Sequence, residues 1–223
     1  MKPRHMYSSV SRRKFLAGAA ALSTVAAASR TAPAAQQSTT GKMDVERFVE
    51  DVKLARLETD SQKAVEEVLK RTVSEPRAVL NGLGEPAEAG IHPIYRADDL
   101  TILNVVWAPL MVLLPHNHNM WASIGIYTGR EDNILWQRTD GVIEANGATA
   151  LSETEVLGLR SDAIHSVTNP VERLTGAIHI YGGDFFKPGR SEWDPETLRE
   201  RPFDLEGAQR LFREANERFE AIR

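Results

Sequence analysis

Two stretches of this chain carry histidines at a spacing that suits chemistry. Pro115-His116-Asn117-His118 sets two imidazoles two residues apart, and His165 follows later in Asp162-Ala163-Ile164-His165-Ser166-Val167-Thr168-Asn169. On an extended strand, side chains two apart project from one face. His116 and His118 are therefore expected to share a face, with His165 closing a third corner from a separate strand. Neutral imidazoles suit Fe, Zn, Cu or Ni, and three of them leave coordination positions open for a substrate or for oxygen. A histidine in a β-core is otherwise a hydrogen-bonded polar residue. The His-x-His pair joined to a distant His-x-x-x-Asn favours the metal, and with it an enzyme.

Such residues need rigid strands beneath them. Short apolar or alternating runs occur at residues 100–107, 111–114, 121–127, 134–137, 156–159 and 174–181, punctuated by Thr128-Gly129, Asp140-Gly141 and Asn146-Gly147. Many short strands with turn signals between them predict a closed or two-sheet β architecture. Before it, Val45, Phe48, Val49 and Val52, and then Ala64, Val65, Val68 and Leu69, recur at helical spacing, with Thr59 or Asp60 as a cap for the second helix. Residues 81–86 read as loop chemistry. Leu205, Ala208, Leu211, Phe212, Ala215 and Phe219 mark a final amphipathic helix. The expectation is one domain over residues 43–223, mainly β, with a barrel core at about residues 91–187 and helices at both ends.

Residues 1–34 read differently. Ser11-Arg12-Arg13-Lys14-Phe15-Leu16 has the form of a twin-arginine export signature, an Ala-rich apolar run follows, and Ala32-Pro33-Ala34 is a small-residue cleavage site. The apolar run is too short to span a bilayer comfortably. Residues 35–42 read as a polar linker. Six of the 27 basic residues precede Ala34 and no acidic residue precedes Asp44, which leaves 21 basic residues against 31 acidic ones in the chain after cleavage. That balance argues against nucleic acid as a partner and against stable association with an anionic membrane. The expected partners are the twin-arginine export machinery and a small-molecule substrate, and the expected location is periplasmic or otherwise exported. The chain has no cysteine, which excludes disulfides, thiolate ligands and a cysteine nucleophile together.

At these motifs the chain resembles a cupin, the double-stranded β-helix or jelly-roll barrel. Gly129 matches the glycine of the first cupin motif, and His165 with Asn169 matches the end of the second. That first motif also carries a glutamate four or five residues after its second histidine, where this chain has Ala122 and Ser123. A three-histidine site without that carboxylate is similar to the thiol dioxygenases, the family of cysteine dioxygenase and 3-mercaptopropionate dioxygenase. The resemblance covers about residues 95–194. Trp107 stands nine residues before His116, as a tryptophan does in that family, and Ala177-Ile178-His179-Ile180-Tyr181 is similar to its Ser-x-His-x-Tyr strand.

The resemblance implies a site and a chemistry. His116, His118 and His165 would hold Fe(II), with other divalent ions as alternatives and dioxygen as co-substrate. His179 and Tyr181 would form a hydrogen-bonded relay beside the metal. With Ala177 in place of the family serine, that relay is expected to lack its outer end. Ser123 matches the position of a cysteine that crosslinks to the tyrosine in some members. A substrate carboxylate needs a forked cation. Arg190, nine residues after Tyr181, is one candidate and Arg96 another, while Trp121 is expected in the pocket wall. Glu131 reads as a turn residue. The implied reaction is oxidation of a small thiol carboxylate to its sulfinate. The alternatives are a cupin dioxygenase that cleaves an enolate, diketone or ring substrate, and a non-catalytic cupin that binds a metal or small molecule.

Overall fold

The computed structural model describes residues 41–221. The export signature and cleavage site lie outside the described residues, as does most of the linker.

Burial on both faces defines the central strands. β2 (Thr101–Trp107), β4 (Ala122–Thr128) and β9 (Thr175–Tyr181) are buried along almost their whole length. Strands covered on two sides read as continuous apolar runs, which is how their sequences look. One face of these strands, with Ile102, Tyr127, Ile178 and Ile180, packs on Phe48, Val52, Val65 and Leu69 of the N-terminal helices. The other, with Leu103, Val105, Ile124 and Tyr181, lines the barrel interior.

These strands belong to a five-stranded sheet in the order β1 (Gly90–Arg96), β2, β9, β4, β7 (Val156–Leu159). A six-stranded sheet faces it, in the order β11 (Glu200–Pro202), β10 (Ser191–Trp193), β3 (Val112–Asn117), β8 (Ile164–Thr168), β5 (Arg130–Thr139), β6 (Val142–Ser152). Every pairing is antiparallel, and most neighbours are not consecutive in the chain. The chain thus passes repeatedly between two layers, and the result is a double-stranded β-helix, mainly β, with helices at both ends.

The helices follow their local signals. Asp44 caps α1 (Val45–Ala55), and Asp60 caps α2 (Ser61–Val73), each accepting a backbone N–H three residues on. Asp204 does the same for α4 (Leu205–Glu220). A third N-terminal helix, α3 (Pro76–Leu83), begins with proline at its first turn and takes in Asn81 and Gly82, so the loop expected from residue 81 starts only at Gly84.

Two other expectations are corrected. The barrel does not stop at residue 187, because β10 and β11 add to the edge of β3. Their three-residue runs are too short to show periodicity. Asn146-Gly147 is not a turn. Gly147 pairs with Leu135 and Ala145 with Trp136, which leaves Asn146 as the extra residue of a bulge inside β6. The β5–β6 hairpin turns at Asp140-Gly141, both at positive φ.

Candidate metal centre

Proline shapes the first pair of histidines. Pro115 has no N–H for the ladder, and the register between β3 and β8 shifts between Leu113 and His116. Past that irregularity His116 pairs directly with His165 on β8. His118 is the first residue beyond β3. All three imidazoles are buried. Their ligand atoms lie within 4.8 Å of one another. His118 Nε2 is 3.1 Å from His116 Nε2 and 3.3 Å from His165 Nε2. Two nitrogens each about 2.1 Å from one ion, at right or tetrahedral angles, stand about 3.0–3.4 Å apart. The cluster therefore fits a single metal ion.

The far sides of the rings are also tied. His116 Nδ1 is 2.9 Å from the Leu114 carbonyl, and His165 Nδ1 is 2.7 Å from Asn133 Oδ1. Both oxygens are acceptors here, so each Nδ1 carries the proton and each Nε2 lone pair faces the cluster. Burial disfavours the charged imidazolium. It lowers His116 to about 4, and it holds His118 and His165 well below the ordinary histidine range. Neutral rings are the form a metal requires. Glu192 stands opposite His116 in the β3–β10 pairing, but it holds Arg201 at 2.7 Å and the Asp204 N–H. No carboxylate joins the three-histidine group among the described residues.

The opposite sheet supplies His179 and Tyr181, which share a face of β9. Tyr181 OH is 3.1 Å from His179 Nδ1, and its ring meets that of His118 edge-on with centroids 4.9 Å apart. Burial raises the Tyr181 phenol, so it stays protonated. Both residues and two of the histidines line an enclosed cavity of about 30 Å³ whose other walls include Leu103, Val105, Trp107 and Phe212. Phe212 of α4 stacks on Trp107 with centroids 5.3 Å apart, so the C-terminal helix closes this end of the barrel.

The outer end of the relay is not cut. Ala177 sits fully buried in the interior cluster. His179 Nε2 instead meets Glu131 Oε2 at 3.2 Å. Glu131 is no turn residue. It lies on β5, has no exposed surface, and also accepts from Trp107 Nε1 at 2.7 Å and Asn133 Nδ2 at 3.0 Å. Burial alone would raise its carboxyl, but His179, Asn133 and Trp107 outweigh that and lower it. The signal for these two residues was the period-two placing of Glu131 and Asn133 in a strand, which the preceding Thr128-Gly129 turn obscured.

The other expected residues divide. Arg190 is 7% exposed, and its guanidinium is held between Phe185 at 4.1 Å and Phe203 at 4.2 Å. Those rings approach His118 and His116, at 6.2 and 5.9 Å between centroids. Its Nη1 is buried without a hydrogen-bond partner. Arg190 thus sits beside the cluster with a donor free, on the rim of an outer groove that Phe203 and Leu205 also line. Arg96 does not. It forms a forked pair with Asp184, both bonds 2.9 Å, and stacks on Phe186. Trp121 packs with the helix-side cluster and covers Gly182, so it does not line the cavity. Ser123 pairs with Ile180 and turns away from the interior, while Ala122 is the residue opposite Tyr181. Neither has sulfur for a crosslink.

Two motif residues have structural work. Asn169 Nδ2 donates to the carbonyls of Trp107, Ala108 and Arg173, and so pins the β8–β9 loop to the end of β2. Gly129 adopts φ +83°, and a Cβ there would run into Thr175.

No protein-family model matches the chain. Among solved structures it is similar to an RmlC-like cupin-family protein with a double-stranded β-helix fold from Methanocaldococcus jannaschii, at 10% identity over 46% of this chain and 86% of that one, with a TM-score of 0.39. It is also similar to a conserved protein with a double-stranded β-helix domain from Klebsiella pneumoniae, at 12% identity over 48% and 83%, TM-score 0.38. A recombinant oxalate oxidase in complex with glycolate aligns at 13% identity over 48% and 56%, TM-score 0.38. Fold and site together define a double-stranded β-helix barrel with a buried three-histidine group able to hold a metal.

Proposed function

We propose that this chain is a metal-dependent oxidoreductase that oxidises a small thiol carboxylate to its sulfinate with dioxygen, Fe(II) being the ion. The observation that carries this reading is a carboxylate-free histidine cluster beside a buried, partly unpaired guanidinium. Three neutral imidazoles leave the double charge of the ion uncompensated, and Arg190 adds a further positive charge in a water-poor setting. A substrate bringing both a thiolate and a carboxylate supplies two negative charges and satisfies both partners.

The bound metal would supply a coordination site for the sulfur and a means of activating oxygen. The protein's own residues do the rest. Arg190 takes the carboxylate, using the Nη1 donors that lack a partner. Phe185 and Phe203 hold its guanidinium plane. Tyr181 donates to His179 Nδ1 and turns its oxygen lone pairs to the cavity, where it can accept a hydrogen bond from a donor group on the substrate. Apolar walls exclude water. The overall change is balanced: a thiolate and one dioxygen give a sulfinate, with four electrons leaving sulfur. The cavity of about 30 Å³ has room for one or two waters, so Phe203 and Leu205, which line both this cavity and the outer groove, must shift to admit substrate.

The test is oxygen uptake by the iron-loaded protein with cysteine, 3-mercaptopropionate, mercaptosuccinate and cysteamine. Uptake is expected with the carboxylated thiols and not with cysteamine. The apolar cavity walls favour a second reading, cleavage of an enolate or diketone, and uptake with a β-diketone alone would replace the first. No uptake with either class would leave a metal- or small-molecule-binding cupin. We also propose export through the twin-arginine pathway, on the basis of Arg12 and Arg13. Replacing both by Lys should trap the chain in the cytoplasm, read by cell fractionation.

A further inference from the structure

We propose that Glu131 is a positioning residue whose acceptor-only carboxylate sets the direction of two hydrogen-bonded chains, one ending on a metal-ligand histidine and the other on Tyr181.

An ionised carboxylate can only accept. Each of its neighbours must therefore turn a donor toward it. Asn133 points Nδ2 at Glu131 Oε1 at 3.0 Å. Its amide has one oxygen, and that oxygen is left facing His165 Nδ1 at 2.7 Å. His165 must then carry its proton on Nδ1, which frees Nε2 for the metal. On the other branch, His179 must present Nε2–H to Glu131 Oε2 at 3.2 Å. Nδ1 is then the acceptor nitrogen of the ring, and it stands 3.1 Å from Tyr181 OH. Trp107 Nε1, a donor that cannot reverse, is 2.7 Å from the same carboxylate oxygen as His179 and locks the arrangement. One buried group thus prepares the nitrogen that faces the metal and the nitrogen that faces the phenol. Which substrate is oxidised plays no part in this polarity.

Glu131→Gln has nearly the same shape but cannot accept on both sides. If the new NH₂ faces His179, that ring must move its proton to Nδ1. If it faces Asn133, the Asn133 amide must reverse, and His165 must move its proton to Nε2, the ligand atom. Proton–nitrogen correlation spectra of the metal-free full chain, at alkaline pH where histidines are neutral, read these tautomers directly. Wild type should show His165 protonated on Nδ1 and His179 on Nε2. Glu131→Gln should switch at least one of them. Asn133→Leu severs one branch alone, so zinc titration should show affinity about 10–100-fold weaker while His179 keeps its wild-type tautomer. A folded Glu131→Gln with both tautomers unchanged overturns the proposal. Should that variant fail to fold, a wild-type spectrum with His179 protonated on Nδ1 overturns it equally. None of these readings depends on thiol turnover.

Discussion

His116 and His165 each commit Nδ1 to a protein acceptor, and this is what leaves Nε2 of each for an ion. Removing one of three ligands should release most of the metal, since two imidazoles bind far less tightly. His165→Ala is therefore expected to purify with well under one metal per chain by elemental analysis, and a content near one would remove it from the ligand set. Arg190 makes a separable prediction. Arg190→Met keeps apolar bulk between Phe185 and Phe203 but loses the charge, so metal content should hold while KM for a carboxylated thiol rises about tenfold or more. An unchanged KM would place the carboxylate elsewhere. At this scale the three histidines were legible, because a two-residue spacing on a strand has a direct geometric meaning. Glu131 and Asn133 were not. Their partners stand on β2, β8 and β9, and only strand pairing brings those positions together.

At the scale of elements, local chemistry explains most of what forms. Asp44, Asp60 and Asp204 cap helices as their residue type predicts. The short strands β10 and β11 carry no such mark, yet they form because β3 offers an unpaired edge. Trp121 and Ser123 show how one residue of register decides a side chain's role. The pairing of Ala122 with Tyr181 sends Ser123 to the opposite face of β4. α4 closes the barrel by its buried Ala208, Phe212 and Ala215, and Asn216 fixes it to the backbone of Ala89 through two bonds of 2.7 and 2.9 Å. Phe212→Ala should therefore lower the unfolding free energy by about 3–5 kcal/mol, measured by urea denaturation. A loss below about 1 kcal/mol would mean that the helix is not part of the cooperative core.

For the molecule as a whole, a buried three-histidine group links stability to pH and to metal. An imidazole titrates near 6.5 when unfolded, and burial takes His116 down to about 4. Between those values the unfolded chain binds a proton that the folded metal-free chain does not. Stability therefore falls as pH drops through this window, by on the order of 3 kcal/mol for His116, with further losses from His118 and His165. Urea unfolding of the metal-free protein at neutral pH and at the acid end of the window should show this decline. Saturating metal at a hundred times its dissociation constant should add about 2.7 kcal/mol at neutral pH. A flat pH profile would mean that the histidines are not held neutral by burial. What the sequence determined by itself was the class of the fold and the three histidines that could hold a metal, because strand periodicity, turn residues and histidine spacing are local properties that act within a few residues. What only the tertiary structure decided was which charges meet. Arg190 is left with a free donor while Arg96 is paired with Asp184, and Glu131 becomes the hub of a buried network. The reason is that hydrogen bonding between distant strands depends on register and layer order, which no short stretch of chain contains.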